Sequence, residues 1–107
     1  MTNQWYLYIL ECRDGSYYTG VTINIVERLE RHNSGKGAKY TRSRRPCRLV
    51  YFEDHSSEKD ARRRELEIKS WKRNKKDELI GGFPSSVLAD FLRISELHPS
   101  TNPTSYI

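Results

Sequence analysis

The sequence predicts an α+β fold, a three-stranded antiparallel sheet flanked by helices, with elements in the order β-β-α-β-α-α. Two aromatic-rich strand patterns meet at an Asp-Gly turn near the N-terminus, which predicts a β-hairpin. A third strand pattern lies between two segments of helical character. The length of 107 residues suits one domain, which we expect over residues 1–82, followed by a C-terminal extension over residues 83–107.

The first predicted strand, residues 5–12, is largely apolar on both of its alternating faces. A strand of this kind is usually covered on both sides, so we expect it at the centre of the sheet. The returning strand is predicted over residues 16–21, and the two strands form the hairpin.

The length of the hairpin turn decides whether Tyr8 and Tyr18 can act together. A two-residue turn would place the two tyrosines on opposite faces of the sheet. A three-residue turn, with Gly15 in the left-handed conformation, would pair Tyr8 with Gly20 and put both tyrosines on one face. The sequence permits both turns, and we predict the three-residue turn because only that register lets the tyrosines cooperate.

A helix is predicted over residues 24–33, with Thr22 or Asn24 as its N-cap. Arg28 and His32 are four residues apart in this segment, so their side chains project from a common face of the helix. The sequence therefore places a permanent cation beside a titratable imidazole.

The remaining elements are predicted from their composition and caps. A long basic loop without apolar periodicity covers residues 35–46, and loops of this length in small domains are often functional. After it we expect a strand over 47–53, a helix over 57–73 capped by Ser56 or Ser57, and a short helical turn capped by Asn74. In the extension we expect a helix over 85–97 and then a flexible tail rich in Pro, Ser and Thr.

Basic residues cluster in two segments of a chain whose net charge is +5. Six basic residues and no acidic one lie between residues 34 and 50, and eight lie between residues 61 and 76 against Glu65 and Glu67. Such clustering is typical of a protein that binds a polyanion such as nucleic acid. A solvated basic face that serves only solubility is the alternative.

The sequence favours a cytoplasmic protein with no membrane partner. No apolar run approaches the roughly 18 residues that a membrane span requires, and the N-terminal residues lack the features of a signal peptide. Cys12 and Cys47 lie in apolar strand-like runs, so we interpret them as reduced core thiols. A disulfide or a metal pair is the alternative.

The chain has a small set of side chains that could carry chemistry together: Tyr8, Tyr18, Arg28, His32 and Glu65. A lone carboxylate beside a cationic surface can hold one hard divalent cation through water and phosphate oxygens. An arginine can neutralise charge that builds on a phosphate, and a nearby cation would lower the pKa of a tyrosine until it serves as a base. This inventory fits metal-assisted phosphodiester hydrolysis, although each residue alone also suits an ordinary core, surface or ion-paired position.

The spacing of these residues resembles that of the GIY-YIG nuclease superfamily, and most closely its small stand-alone bacterial branch. Tyr6-Leu7-Tyr8 and Tyr18-Thr19-Gly20 stand where the two signature tripeptides would, separated by a short hairpin. Arg28 and His32 follow at the expected distances, and Glu65 lies on the later helix. Two positions depart from the signatures, with Tyr6 in place of Gly and Thr19 in place of Ile, and neither removes a catalytic group.

The resemblance, which covers about residues 4–80, implies a catalytic role for each of these side chains. One Mg²⁺ or Mn²⁺ would be held by Glu65. Tyr8 would activate the attacking water, with help from Tyr18 or His32, and Arg28 would stabilise the phosphoryl charge. Gly20 would leave room where a side chain would crowd Tyr8.

The same resemblance assigns the basic loop to substrate binding. Its cationic side chains would grip the nucleic-acid backbone: Lys36, Lys39, Arg42, Arg44 and Arg45. Tyr40 would stack on a base or support the loop.

The predicted function is a metal-dependent endonuclease for nucleic acid, DNA more than RNA, related to repair or recombination. A catalytically weak nucleic-acid-binding module that retains the nuclease fold is the alternative. We expect a monomer, and the extension offers a surface for a protein partner.

Overall fold

The computed structural model, which describes residues 4–96, contains a three-stranded antiparallel sheet. Strand β1 (Trp5–Cys12) lies between β2 (Tyr17–Thr22) and β3 (Cys47–His55), so the predicted central position of the first strand is confirmed. Residues 7–10 of β1 are each at most 1% exposed, because the sheet is covered on both faces. This burial on both sides fixes the register of β1 strongly.

The hairpin between β1 and β2 has the predicted three-residue turn. Tyr8 pairs with Gly20 and Leu10 pairs with Tyr18. The turn closes because Gly15 donates its N–H to the carbonyl of Cys12 at 2.8 Å, with Gly15 at φ +85°. Tyr8 and Tyr18 therefore share one face of the sheet, as predicted.

Helices cover both faces of the sheet among the described residues. They are α1 (Ile25–Asn33), α2 (Lys39–Arg42), α3 (Glu58–Lys69), α4 (Arg73–Gly81) and α5 (Ser85–Glu96). Asn24 caps α1 by accepting the N–H of Glu27 at 3.1 Å, and Ser57 caps α3 by accepting the N–H of Asp60 at 3.2 Å. No helix in residues 4–96 is long and apolar enough to span a membrane.

Helix α2 corrects the sequence prediction, which has an irregular loop over residues 35–46. Four residues are too few to form a stable helix on their own propensity, so no periodicity could reveal α2. Its fold depends on tertiary contacts, above all the complete burial of Thr41.

The predicted helix over residues 57–73 ends early, and the short helical turn predicted after it is helix α4. Helix α3 stops after Lys69, and α4 begins at Arg73 without a side-chain cap, although Asn74 was expected to cap a turn there. Between the two helices the half-buried Trp71 packs against the core on the α3 side of the sheet. Strand β3 also continues to His55, two residues beyond the predicted end.

The sheet separates two apolar clusters. On one face Ile25 and Leu29 of α1 pack against the strands, and on the other face Ala61 and Ile68 of α3 do so. In each helix these two apolar residues are spaced by the helical repeat, so they lie on one face.

The C-terminal extension contributes α5 to the cluster on the α1 face, where the ring of Phe91 lies 4.9 Å from that of Phe52. The expected flexible tail lies outside the described residues, and the division at residue 82 stays a prediction.

Cys12 and Cys47 are paired residues on β1 and β3. Both are buried free cysteines, and their Sγ atoms are 3.3 Å apart. Burial raises the pKa of Cys47 to about 12, which leaves it a thiol at neutral pH.

We predict that Gly15→Ala lowers the free energy of unfolding by about 1 kcal/mol, because a φ of +85° disfavours an L side chain. An added Cβ would have nothing within 4 Å, so the backbone conformation is the sole cost. Gly81→Ala is the matched control, since it also adds a Cβ in open space but at no positive φ. Urea denaturation of both variants measures the difference, and equal losses would contradict this explanation.

Candidate active site

A cavity of about 370 Å³ opens at the edge of the sheet formed by β2, beside α1 and α3. The hairpin contributes Tyr8, Tyr18 and Gly20 to its wall, α1 contributes Arg28, and α3 contributes Glu65. The structure thus brings together side chains from widely separated parts of the sequence. His32 is the remaining predicted residue, and it reaches the site through a hydrogen bond to Tyr8.

The Tyr8 hydroxyl and His32 Nε2 are hydrogen-bonded at 2.9 Å, and each residue is only 1% exposed. The ring of Tyr18 lies edge-on to that of His32, with 4.9 Å between centroids. On its other side His32 bonds through Nδ1 to Thr41 Oγ1 at 2.8 Å. Every nitrogen of the imidazole therefore has a partner within the protein.

Gly20 allows Tyr8 to occupy this position. A Cβ on Gly20 would lie 2.6 Å from the Tyr8 hydroxyl oxygen and 3.1 Å from a ring carbon of Tyr18. Because Tyr8 is buried and hydrogen-bonded, it has little room to move away from such an atom. The pairing of Tyr8 with Gly20 in the hairpin register is what puts the smallest residue at this point.

Burial raises the pKa of Tyr8, and the neighbouring Tyr18 raises it further, against an opposing effect of Arg28. The expectation that nearby cations would lower this pKa is therefore not met, because desolvation of the phenolate outweighs the attraction of the guanidinium. Tyr8 is protonated at neutral pH.

Burial, with smaller contributions from the charges of Arg28 and Arg31, lowers the pKa of His32 from 6.5 to about 4. His32 is consequently neutral at pH 7, with one ring nitrogen free to accept a proton.

Glu65 is the buried carboxylate of the cavity, only 8% exposed. Its Oε2 accepts a hydrogen bond from Lys69 at 2.9 Å, and its Oε1 accepts one from Arg62 at 3.4 Å. Glu67, a second carboxylate on the same helix, is exposed and forms an ion pair with Arg64.

A family model described as the GIY-YIG catalytic domain matches residues 4–78. The chain belongs to the GIY-YIG family. A UPF0213 protein of Staphylococcus haemolyticus is 53% identical over 75 residues, which cover 70% of this chain and 92% of that protein. A UPF0213 protein of Streptococcus pneumoniae serotype 4 is 49% identical over 80 residues, which cover 75% of this chain and 81% of that protein.

The solution NMR structure of protein EF2693 from E. faecalis is also similar, with a TM-score of 0.51 and 33% identity over 95% of this chain and 98% of that one. The predicted family, its small bacterial branch and the predicted fold class are confirmed. The GIY-YIG family is one of nucleases, so the fold and its family point to nucleic acid.

GIY-YIG nucleases typically use a divalent metal, and the residues of this cavity fit such an ion. Glu65 offers hard oxygen ligands, which Mg²⁺ and Mn²⁺ prefer. The cavity has room for the water ligands that Mg²⁺ retains. The ammonium of Lys69 and the guanidinium of Arg62 form ion pairs with the two oxygens of this carboxylate, so a metal ion would have to compete with them. Across residues 4–96 no cluster of three or more His, Cys, Asp and Glu side chains offers another metal site.

The predicted nucleic-acid-binding residues divide into two groups. Lys36, Lys39 and Arg42 are exposed, and their side chains make no hydrogen bond or ion pair with the described residues. Arg44 instead donates to Asp14 at 3.1 Å, and Arg45 donates to the carbonyl of Arg42 at 2.9 Å. The side chains of the first group can contact phosphate. Those of the second group instead stabilise the basic segment, residues 35–46, through contacts within the protein.

Tyr40 is 38% exposed and stacks on Tyr18, with 6.1 Å between ring centroids. The guanidinium of Arg44 lies 3.9 Å from the centre of the Tyr40 ring. These contacts hold α2 against the sheet, as one of the two predicted roles requires, and stacking on a base stays a prediction.

Sequence reasoning missed three residues around the site: Thr41, Lys69 and Glu27, the last of which is a second carboxylate in the cavity wall. The pairing of Lys69 with Glu65 could have been found, because residues four apart on a helix are neighbours. No sequence signal marks the contact between Thr41 and His32, since it joins α1 to the four-residue helix α2, which has no periodicity of its own.

We predict that Gly20→Ala lowers the free energy of unfolding by about 1–3 kcal/mol, because the added methyl group overpacks a buried site. It should also displace Tyr8 from His32, which NMR chemical shifts of the His32 ring would report. Gly81→Ala, whose added atom has nothing within 4 Å, is the control. An unchanged stability and unchanged His32 shifts would show that the site tolerates the methyl group.

We predict that stability depends on pH through His32. Its pKa is about 4 in the folded protein and near 6.5 in the unfolded chain, so the unfolded state takes up a proton first as the pH falls. The stability it contributes is present above pH 6.5 and is lost progressively down to pH 4, with a slope of up to about 1.4 kcal/mol per pH unit.

Urea denaturation at several pH values between 4 and 7 checks this slope, with His32→Gln as the comparison. The variant should lose the part of the slope that His32 contributes. Identical pH profiles for the two proteins would refute the assignment.

Proposed function

We propose that this protein is a metal-dependent endonuclease that hydrolyses phosphodiester bonds of nucleic acid, with DNA as the preferred substrate. The observation that carries the proposal is the convergence of Tyr8, Arg28 and Glu65 on one cavity, with His32 bonded directly behind Tyr8. Each of these residues has an ordinary explanation alone, but one cavity that unites a proton acceptor, a phosphate-binding cation and a carboxylate fits a hydrolytic site.

Tyr8 and His32 together activate the attacking water. As the oxygen of water bonds to phosphorus, its proton passes to the phenolic oxygen of Tyr8, and the proton of Tyr8 passes to His32 Nε2. This transfer avoids a free phenolate, which burial disfavours. A bound phosphate would oppose the charge of Arg28, so it would raise the proton affinity of His32 when the substrate is present.

Arg28 stabilises the negative charge on the phosphoryl oxygens as the bond to the leaving oxygen breaks. The leaving oxygen takes a proton from solvent, and His32 releases its proton to solvent after the products leave. Glu65 would hold the divalent cation, which would supply Lewis-acid polarisation of the phosphate.

The substrate approaches a surface rich in cations. Lys36, Lys39 and Arg42 are exposed and free of intraprotein partners in the described part of the chain. Their charges suit the phosphate backbone of a polyanion rather than any particular base. Repair or recombination intermediates in the bacterial cytoplasm are the substrates we assign to this surface.

A nucleic-acid-binding module without catalysis is the second candidate, and one observation favours it. Both oxygens of Glu65 are engaged by Lys69 and Arg62, so a metal ion must compete with two resident cations. A protein partner bound through the C-terminal extension, and the monomeric state, stay predictions.

We predict that Glu65→Gln and Arg28→Ala each reduce Mg²⁺- or Mn²⁺-dependent cleavage by about 100-fold or more. Nicking of plasmid and cleavage of labelled single-stranded DNA and structured RNA measure the loss and identify the preferred substrate. Glu67→Gln is the matched control, since this carboxylate is on the same helix but pairs with Arg64 outside the cavity.

Binding separates the two candidate functions. Glu65→Gln should bind nucleic acid at least as well as the wild type, because the lost carboxylate repels phosphate. A wild-type protein that binds with steep salt dependence but cleaves no substrate with either metal would establish the binding module instead.

A further inference from the structure

A chain of hydrogen bonds runs from the candidate active site into the basic segment. The Tyr8 hydroxyl bonds to His32 Nε2, and His32 Nδ1 bonds to Thr41 Oγ1. Thr41 in turn donates its hydroxyl proton to the carbonyl of Ala38 at 3.0 Å. Tyr8, His32 and Thr41 are at most 1% exposed, so the chain is almost wholly buried and meets the cavity only at Tyr8.

The proton inventory of this chain fixes the direction of its bonds. The carbonyl of Ala38 can only accept, and the hydroxyl of Thr41 has one proton to give. Once that proton is committed to Ala38, Thr41 can only accept from His32, so His32 carries its proton on Nδ1. Nε2 is then bare and accepts the hydroxyl proton of Tyr8.

The reversed direction leaves a proton without a protein acceptor. If Thr41 donated to Nδ1, the proton of His32 would be on Nε2 and Tyr8 would have to accept it. The Tyr8 hydroxyl would then turn its proton toward the cavity wall, where its hydrogen-bonding protein neighbour is Arg28, whose guanidinium can only donate. A buried hydroxyl without an acceptor costs free energy, so the structure favours the first direction.

The segment around Thr41 is built to approach His32 closely. A Cβ on Gly37 would lie 2.6 Å from His32 Nδ1 and 2.8 Å from its Cα, so only glycine lets the chain pass here. The stacking of Tyr40 on Tyr18 and the bond from Arg44 to Asp14 hold α2 on both sides of Thr41. Thr41 is therefore placed by several contacts that do not depend on its own hydroxyl.

We propose that Thr41 is a positioning residue that keeps the proton of His32 on Nδ1, so that Nε2 faces Tyr8 as a proton acceptor. The catalytic consequence rests on the proposed function, but the tautomer itself does not. In the proposed reaction a proton can move from Tyr8 to His32 only while Nε2 is bare. Thr41 thus acts on the reaction through His32 and touches no substrate.

The tautomer is measured directly by long-range ¹H–¹⁵N correlation spectra of ¹⁵N-labelled protein at pH 7, with the His32 signals assigned by their loss in His32→Gln. Wild type should show a protonated Nδ1 and a bare Nε2. In Thr41→Val, which keeps the shape but removes the hydroxyl, a substantial fraction of the Nε2-protonated form should appear. Thr41→Ser should restore the wild-type pattern.

A wild-type spectrum with the proton on Nε2 would overturn the proposal even if Thr41→Val failed to fold. A folded Thr41→Val that keeps the Nδ1-protonated form in full would overturn it as well. Both readouts are independent of cleavage, so the failure of the proposed nuclease function would be seen separately, as an inactive wild type with the expected tautomer.

Cleavage assays test the positioning role of Thr41 in a second way. Thr41→Val should lower kcat by roughly 10-fold or more with little change in KM, because Thr41 orients a proton acceptor and does not bind substrate. Thr41→Ser should recover most of the loss. A fall confined to KM, or no rescue by serine, would refute the positioning role.

Discussion

The buried hydrogen bond between Tyr8 and His32 is the interaction on which the rest of the site depends. It joins the central strand of the sheet to α1, and both partners are almost completely excluded from solvent. The bond can form only if the hairpin register puts Tyr8 on the α1 face and leaves no side chain opposite it. The left-handed Gly15 and the absent Cβ of Gly20 meet those two conditions, so both glycines serve the same contact from different positions.

Burial also sets the charge state of the pair. Desolvation raises the pKa of Tyr8 and lowers that of His32, so both are neutral at pH 7. In the proposed relay the proton that passes from Tyr8 to His32 makes His32 a cation, while the proton taken from water keeps Tyr8 a neutral phenol. The charged members of the site, Arg28 and Glu65, line the open cavity instead, where a phosphate or a cation could reach them. The pair proposed for proton transfer is thus almost wholly buried, and the two charged groups line the cavity beside it.

Local pattern was enough to predict the fold class and the shared helix face of Arg28 and His32, because both follow from chain geometry over a few residues. It left two hairpin registers open, and the requirement that Tyr8 and Tyr18 share a face decided between them. Glu65 stood among the candidate side chains from the residues alone, and the family resemblance gave it the role of metal ligand, which no local period would select. The contact of Thr41 with His32 and the existence of α2 could not be predicted. A four-residue helix has no periodicity, and a hydrogen bond between residues nine apart across an irregular segment depends on the folded path of the chain.

Helix α2 links the two roles proposed for the site, which are substrate binding and proton transfer. Its exposed residues Lys39 and Arg42 face solvent, while Thr41 between them is fully buried against His32. So short a helix gains little stability from its own hydrogen bonds. It keeps its place through the burial of Thr41 and through the stacking of Tyr40 on Tyr18. In the proposed function, the contacts that hold α2 therefore serve two purposes. They present Lys39 and Arg42 to a phosphate backbone, and they keep a bare Nε2 of His32 facing Tyr8. We therefore expect a change that loosens α2 to weaken the proposed substrate binding and the proposed proton transfer together, whereas the loss of the Thr41 hydroxyl alone should affect proton transfer.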